Sequence, residues 1–325
     1  MRNLASQIKK AVKRARSALV IAHIDPDGDS IGSMLAFGFI LERMGLAVDF
    51  YSQDGVPKIY HFLPGADRIK NKLDPNQRYD ILAALDSSDI KRLGPKLPSL
   101  KIGKVVINID HHPDNTGYGD INYVEKCSST AELIYRLAKE LKTHIDLSIA
   151  ENLYVALITD TGNFRYENTS IETFKMAGDL LKAGVNTHVI TTRIYDTKSI
   201  ASIKLQGVAL ASLEISPDRK AAWVMVTKEM MEKMGAKSED LIGLVDRVRS
   251  IEGIEVAVLF REEKSEIKIN FRSKDRVNVS DVAKRFGGGG HIRAAGAAVQ
   301  GSMLEVKTKV ITEILKYLQA IKYLT

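Results

Sequence analysis

Four segments in the first half of this 325-residue chain end an apolar run on aspartate or histidine. ALVIA at 18–22 runs into His23, Asp25, Asp27 and Asp29; DILAAL at 80–85 runs into Asp86. KVVINI at 104–109 runs into Asp110, His111 and His112, and the apolar stretch NLYVALIT at 152–159 runs into Asp160. The first three runs, with 46–51, read as buried strands, and the fourth as the end of a helix. Helical patterns lie between and after them, at 30–45 with Ser30 as its expected cap, at 132–141, at 147–159 and at 170–183. Ser129 followed by Glu132 reads as a capping box for the helix at 132–141. Strands alternating with helices predict an α/β fold, a mostly parallel sheet with helices on both faces.

The pattern changes after Gly184. Residues 187–213 read as a helical connector without strand signal, and strands resume at 221–226, 254–260 and 266–272, the last two joined by a hairpin turn REEKS. Glycines 287–290 read as a loop, and 303–323 as a final helix. The expected organisation is a first domain over 1–186, the connector, and a second, smaller α/β domain over 214–325.

In an open α/β sheet, residues just past the strand ends line one crevice. The four segments therefore bring several carboxylates and imidazoles to one place. Taken singly, Asp110 reads equally well as a cap, and His111 as a partly buried polar residue. Together they have an electrostatic cost, because clustered carboxylates hold protons unless a cation neutralises them. Carboxylates and imidazoles without thiolates suit Mn²⁺, Fe²⁺ or Co²⁺ better than a closed structural zinc site. Two ions roughly 3.5–4 Å apart need a bridging carboxylate, and Asp86, alone at the end of its strand, is of that type. His61, His144 and His188 lack this context, and Cys127 reads as a small packed side chain.

Lysine and arginine number 47 against 40 acids, a net charge of +7. Residues 1–16 hold six of these bases and no acid, but Leu4, Ile8, Val12 and Ala15 recur at helical spacing, so this run reads as a solvated helix face. The second basic stretch, 268–293, surrounds the glycines and points to anionic partners such as nucleotides. The single cysteine excludes an intrachain disulfide and a cysteine-based zinc site, which fits a reducing, cytoplasmic location. No apolar run approaches the roughly 20 residues of a membrane helix, so no membrane partner is expected.

These motifs resemble the DHH phosphoesterase superfamily, named for the Asp110-His111-His112 triplet. HIDPDGDSIGS at 23–33 is similar to its first motif, Asp86 in ALDSSD to the second, and ITDTGNFRY at 158–166 to the fourth. INFRSK at 269–274 and GGGGHIRAAG at 287–296 resemble the domain that accompanies it. The resemblance spans nearly the whole chain and points to the stand-alone two-domain type, which includes nanoRNases, phosphatases of 3′-phosphoadenosine 5′-phosphate, and dinucleotide phosphodiesterases. The chain is too short for the extra domains of RecJ exonucleases, and the glycine-histidine loop argues against a family II pyrophosphatase.

The resemblance implies two Mn²⁺ ions, with Mg²⁺ or Co²⁺ as substitutes. His23, Asp27 and Asp86 would hold one; Asp29, Asp86, His111 and Asp160 would hold the other, with Asp86 bridging. His112 would contact the scissile phosphate, and Asp110 would support the site by orienting a histidine. Asp25 is an extra acid that the family pattern does not use. In the second domain, backbone N–H groups of Gly288, Gly289 and Gly290 would cradle a phosphate, with Arg272 and His291 beside them; Arg165 in GNFRY reads as reaching the site or equally as pairing with an acid. The implied reaction is metal-dependent hydrolysis of short RNA or of linear or cyclic dinucleotides to mononucleotides, with phosphoadenosine phosphate as alternative substrate. A homodimer is compatible with all of this. A nucleotide sensor on the same fold would have lost ligands, whereas every ligand position here is filled. A nucleic-acid-binding protein would want a richer stacking platform than 6% aromatics provide.

Overall fold

In the computed structural model, which describes residues 2–95, 97 and 100–322, the chain divides into a unit ending at Asp196 and a unit beginning at Thr197. The first unit runs α1 (Arg2–Arg14), β1 (Ser17–Ile21), α2 (Gly28–Arg43), β2 (Ala47–Tyr51), β3 (Ile69–Lys70), β4 (Tyr79–Leu85), β5 (Gly103–Asp110), β6 (Ile121–Val124), α3 (Thr130–Leu141), α4 (Leu147–Asp160), α5 (Ile171–Lys182) and α6 (Thr187–Thr191).

Its six strands are parallel, in the order β3-β2-β1-β4-β5-β6. Strands rich in buried aliphatic residues on both sides are what a covered parallel sheet requires. Ala18, Val20, Ile81, Ala83, Ile107 and Ile109 face a large core built with α1 to α5. Leu19, Ile21, Leu82, Ala84 and Val106 face a smaller core closed by the short 3₁₀ turns at 90–93 and 100–102. The chain order reverses between β1 and β4, and the crevice outside strand ends at such a switch is where α/β sheets bind ligands.

Helix α2 begins at Gly28, two residues before the expected start. Its cap is Asp27, whose carboxylate accepts from Ser30 N at 2.9 Å, while the Ser30 hydroxyl returns a bond from Asp27 N at 3.0 Å. Ser30 is thus the third helical residue of a capping box and not the cap itself. Helix α4 lies so close to α2 that a Cβ on Gly28 would stand 2.5 Å from the Thr159 side chain, and one on Gly32 2.4 Å from the Asn152 carbonyl. Before α3, Ser129 caps as expected by accepting from Glu132 N at 3.3 Å. The Glu132 carboxylate turns instead to Ser128, accepting from its amide at 3.1 Å and from its hydroxyl.

The expected connector is helical. α6 and a π-helical turn at 192–196 close the first unit, and α7 (Ile200–Ala211) opens the second. The second unit continues with β7 (Glu214–Ile215), β8 (Ala221–Val226), α8 (Lys228–Met234), α9 (Leu244–Arg249), β9 (Val256–Glu262), β10 (Ile267–Ser273), α10 (Val279–Lys284), β11 (Gly289–His291), β12 (Ala294–Val299) and α11 (Met303–Lys322). Its sheet is mixed, in the order β11-β12-β10-β9-β8-β7, with β8 and β9 parallel and the other pairs antiparallel. One face packs Val258, Phe260, Ile269, Phe271 and Ala295 against α10 and α11. The other packs Ala222, Val224, Ala257 and Leu259 against α7, α8 and α9. Among the described residues, no helix is long and apolar enough to cross a membrane.

Candidate functional site

The switch point of the first sheet gathers the acids and histidines that the strand ends deliver. His23 follows β1, Asp27 caps α2 and Asp29 lies in its first turn, Asp86 follows β4, Asp110 ends β5 with His111 and His112 behind it, and Asp160 ends α4. All but Asp27 and Asp160 are buried, and Asp160 is only slightly open.

Two donor sets share this site. His23, Asp27 and Asp86 form one, with His23 Nε2 3.6 Å from Asp86 Oδ2 and 3.9 Å from Asp27 Oδ1. Asp29, His111 and Asp160 form the other, with His111 Nε2 3.8 Å from Asp29 and 3.7 Å from Asp160. Asp86 joins them, since its Oδ1 also lies 3.6 Å from His111 Nε2. It takes a left-handed backbone conformation, φ 57°, directly after β4, a conformation uncommon outside glycine that recurs at functional sites.

Each imidazole is aimed by its other nitrogen. His23 Nδ1 lies 2.7 Å from the Ile24 carbonyl, His111 Nδ1 3.3 Å from the Cys127 carbonyl, and His112 Nδ1 2.7 Å from Asp110 Oδ1. With Nδ1–H donating, Nε2 is left for the centre in all three, the usual orientation of a metal-binding histidine. Asp110 is itself fixed, accepting from His111 N at 2.9 Å and from Asn115 Nδ2 at 2.6 Å.

The carboxylates are held by groups that the sequence pattern does not mark. Asp29 accepts from Thr130 N at 2.7 Å and Ala131 N at 3.2 Å, the first amides of α3, and from the Ser33 hydroxyl at 2.9 Å. The Thr130 hydroxyl donates to Asp86 at 2.9 Å, and Asn168 Nδ2 to Asp160 Oδ2 at 3.1 Å. A start of α3 pointing its amides at Asp29 favours the charged carboxylate.

The protonation directions record the crowding. Burial, then Asp86, Asp160 and Asp27, push Asp29 well above the ordinary carboxylate range. Burial, reinforced by Asp86 and opposed by His111, pushes Asp160 up to about 7. Burial also works on Asp86, but His23, His112 and His111 outweigh it and hold that carboxyl far below the ordinary range. The three histidines are all raised, because their carboxylate neighbours outweigh the cost of burial.

This donor set fits divalent cations. Metal–ligand bonds of about 2.1 Å put neighbouring donors on one ion roughly 3.0–3.4 Å apart, a few tenths less than the 3.6–3.9 Å seen here. The excess of buried carboxylates supplies the negative charge that such an ion would neutralise. Among the described residues, Asp25 is in none of these sets; it stands in an exposed turn at φ 51° with its amide donating to Asp54 at 2.8 Å. Arg165 is also exposed, its Nε donating to the Gly162 carbonyl at 2.6 Å.

In the second unit, register brings Arg272 and His291 onto one sheet face. Arg272 on β10 stands opposite Ala294 on β12, which stands opposite His291 on β11. Arg272 is flanked by Asp246 of α9, its Nε 3.6 Å from the carboxylate, which also pairs with Arg249 at 3.3 Å. The glycine run differs from the expected loop. Gly289 and Gly290 belong to an edge strand paired with β12, and Gly288 packs so closely on it that a Cβ would fall 2.0 Å from the Gly296 carbonyl.

Comparison with known proteins places both units. Residues 17–157 match the DHH family, N-terminal domain, and residues 221–321 match the DHHA1 domain. The chain is similar to the bifunctional oligoribonuclease and PAP phosphatase NrnA of Thermus thermophilus, 30% identical over 316 residues that cover 96% of this chain and 93% of that one. It is 29% identical to the protein of the same description from Bacillus subtilis over 301 residues, 91% of this chain and 93% of that one. The crystal structure of an exopolyphosphatase-related protein from Bacteroides fragilis superposes with a TM-score of 0.91 at 27% identity, covering 100% of this chain and 98% of that one.

Proposed function

The chain belongs to the DHH phosphoesterase family and is a metal-dependent phosphoesterase, and we propose that it hydrolyses short oligoribonucleotides and dinucleotides such as pApA to mononucleotides and removes the 3′-phosphate of phosphoadenosine phosphate. The observation that carries this reading is Asp86, with one oxygen 3.6 Å from His23 Nε2 and the other 3.6 Å from His111 Nε2. One carboxylate facing two donor sets is what a paired-ion phosphoesterase centre needs.

On this reading His23, Asp27 and Asp86 hold one divalent ion, and Asp29, Asp86, His111 and Asp160 hold a second; Mn²⁺ suits the donors, and Mg²⁺ or Co²⁺ can replace it. Bound there, the ions supply charge neutralisation for the phosphoryl oxygens and acidify water for attack. His112 is a candidate catalytic residue. Asp110 fixes its Nδ1, which leaves Nε2 to donate a hydrogen bond or a proton to a phosphoryl or leaving oxygen. Burial is outweighed at His112 by the hydrogen bond to Asp110 and the charge of Asp86, so its pKa is raised from the ordinary imidazole value.

Arg272 and His291 in the second unit fit recognition of a nucleotide phosphate, Arg272 through its fork of N–H donors. Gly288 and Gly290 allow strands to pack without a side chain between them, so this structure gives them a shaping role beside the backbone-donor role the motif suggests. Both reactions of the relatives named above free a ribose oxygen from phosphorus, and one site can serve both.

A chromatographic assay with Mn²⁺ tests this. Linear di- and trinucleotides, a 20-mer RNA, phosphoadenosine phosphate, a cyclic dinucleotide and pyrophosphate are compared with and without chelator. Fast, chelator-sensitive conversion of the shortest linear substrates is expected. Turnover of pyrophosphate alone, or undiminished turnover with chelator, would overturn the reading.

A further inference from the structure

The sheet face that carries Arg272 and His291 holds a second row of residues, in which Asn270 and Gly296 have been given no role and Gly289 only its backbone N–H. Asn270 precedes Arg272 by two positions on β10, so both project from one face. Across the strands Asn270 stands opposite Gly296 of β12, which stands opposite Gly289 of β11. Beside the row Arg272–Ala294–His291 there is therefore a row Asn270–Gly296–Gly289, one amide next to two positions without side chains.

Neither glycine is explained by its backbone or by packing. Gly290 has φ 137° and Gly288 abuts a neighbouring carbonyl, but Gly289 and Gly296 have no positive φ. A Cβ on Gly289 would meet nothing within 4 Å, and one on Gly296 only the Ile269 carbonyl at 3.5 Å and Asn270 Nδ2 at 4.0 Å. Glycine inside a strand weakens it and marks places where something approaches the backbone closely. The result is a flat floor on the open edge of the sheet. Asn270, at its margin, is half-buried, and its side-chain amide makes no hydrogen bond among the described residues.

From this juxtaposition we infer that Gly289 and Gly296 floor a nucleobase slot next to the phosphate-recognising Arg272, and that Asn270 makes it selective for adenine over guanine. The inference rests on the nucleotide-hydrolase reading above for its choice of ligand. An asparagine amide offers one acceptor and two N–H donors. Adenine matches it with the N6 donor beside the N7 acceptor, whereas guanine presents O6 and N7, both acceptors, so that the amide oxygen of Asn270 would face an acceptor. A site built to pair with a polar edge rejects an edge that leaves its groups unpaired. The expected preference is roughly five- to hundredfold.

The test uses the full chain with Mn²⁺ and compares kcat/KM for pApA and pGpG. The unaltered chain should prefer pApA, and Asn270→Ala should bring the ratio toward one by losing activity on pApA. Gly289→Val, which has room for its side chain, should raise KM for both by filling the slot. Calorimetric binding of AMP against GMP reads the same selectivity without turnover. Equal affinities for AMP and GMP, or a preference that survives Asn270→Ala, would overturn the slot. AMP selectivity that Asn270→Ala abolishes, in a chain that hydrolyses neither dinucleotide, would uphold the slot and overturn the hydrolase reading instead.

Discussion

The Thr130 hydroxyl donates a 2.9 Å hydrogen bond to Oδ1 of Asp86, although the two residues are 44 positions apart in the chain. The same residue gives its amide to Asp29 at 2.7 Å. Thr130 thus orients a carboxylate from each donor set with one side chain and one peptide group. Removing partners of this kind typically weakens metal binding by roughly ten- to a hundredfold. Thr130→Val keeps the shape and the amide but deletes the hydroxyl. It should lower Mn²⁺ affinity within that range by titration calorimetry, and Thr130→Ser should restore it. Equal affinity in all three proteins would show that the hydroxyl does not position Asp86.

Asp86 itself offers a sharper separation of folding from chemistry. Its left-handed backbone, φ 57°, suits asparagine nearly as well as aspartate. Asp86→Asn should therefore fold, with its circular dichroism spectrum unchanged, yet lose turnover by orders of magnitude because a neutral amide cannot bridge two cations. Turnover within a few-fold of the unaltered chain would remove Asp86 from the centre of the proposed mechanism.

The contact between α2 and α4 is a structural requirement of the same site. A Cβ at Gly28 would fall 2.5 Å from both Cγ2 and Oγ1 of Thr159, next to Asp160. Overpacking of this sort costs about 1–3 kcal/mol. Gly28→Ala should lower Tm and metal affinity together, because the strain is relieved by moving the segment that carries Asp160. Adding Thr159→Ala, which clears Oγ1 and Cγ2, should recover part of both. A fall in Tm with unchanged metal affinity would confine the effect to stability.

The fold and the convergence of the acids and histidines are legible in the sequence because both follow short-range rules. Apolar runs at strand length predicted β1, β2, β4 and β5 to within one residue at each end, and residues placed just past their ends met at the switch point. The supporting groups were not legible. Thr130 falls before the helix expected at 132–141, and Asn168 and Asn115 fall in no predicted element, because their partners are remote in sequence or defined by the turn that forms there. The misplaced cap of α2 has a local cause: Asp27 and Ser30 are both good capping residues, and only the reciprocal bonds between them settle which is first. The edge strand β11 carries no strand signal in the sequence because glycine has low strand propensity, and its pairing is decided by the small residues of β12 that it lies against.

Arg272 allows recognition to be tested apart from metal binding. Its guanidinium is half-buried beside Asp246, in the second unit, while every proposed metal ligand is in the first. A charge-assisted hydrogen bond contributes about 1.5–3 kcal/mol, so Arg272→Ala should raise KM for dinucleotides by roughly ten- to a hundredfold. Mn²⁺ affinity should stay unchanged. Loss of metal in this variant would contradict the assignment of the ligands to the first unit.

The crowded carboxylates make metal-free stability depend on pH in a definite direction. Asp160 is pushed up to about 7 and Asp29 well above its ordinary value, burial being the largest cause for both. A carboxyl whose pKa is higher in the folded chain keeps a proton that the unfolded chain has released. It therefore stabilises the fold on the acid side, and that contribution is lost as pH rises through the folded value. His23, His111 and His112, also raised, act in the same direction, with stability present below about 6.5 and lost above their folded values. Asp86, lowered, contributes in the opposite sense but below about pH 4, outside the interval of interest. With chelator, Tm should fall between about pH 5 and pH 8. Over the same interval the rise in Tm caused by Mn²⁺ should grow, because fewer protons have to leave the ligands as the ion binds. Calorimetry in buffers of different ionisation enthalpy should record proton release that shrinks toward the alkaline end. Asp160→Asn removes one of the titrating groups and should flatten the chelated Tm profile. A chelated Tm that rises from about pH 5 to pH 8 would mean that the acids and histidines of this site do not share the crowded environment described here.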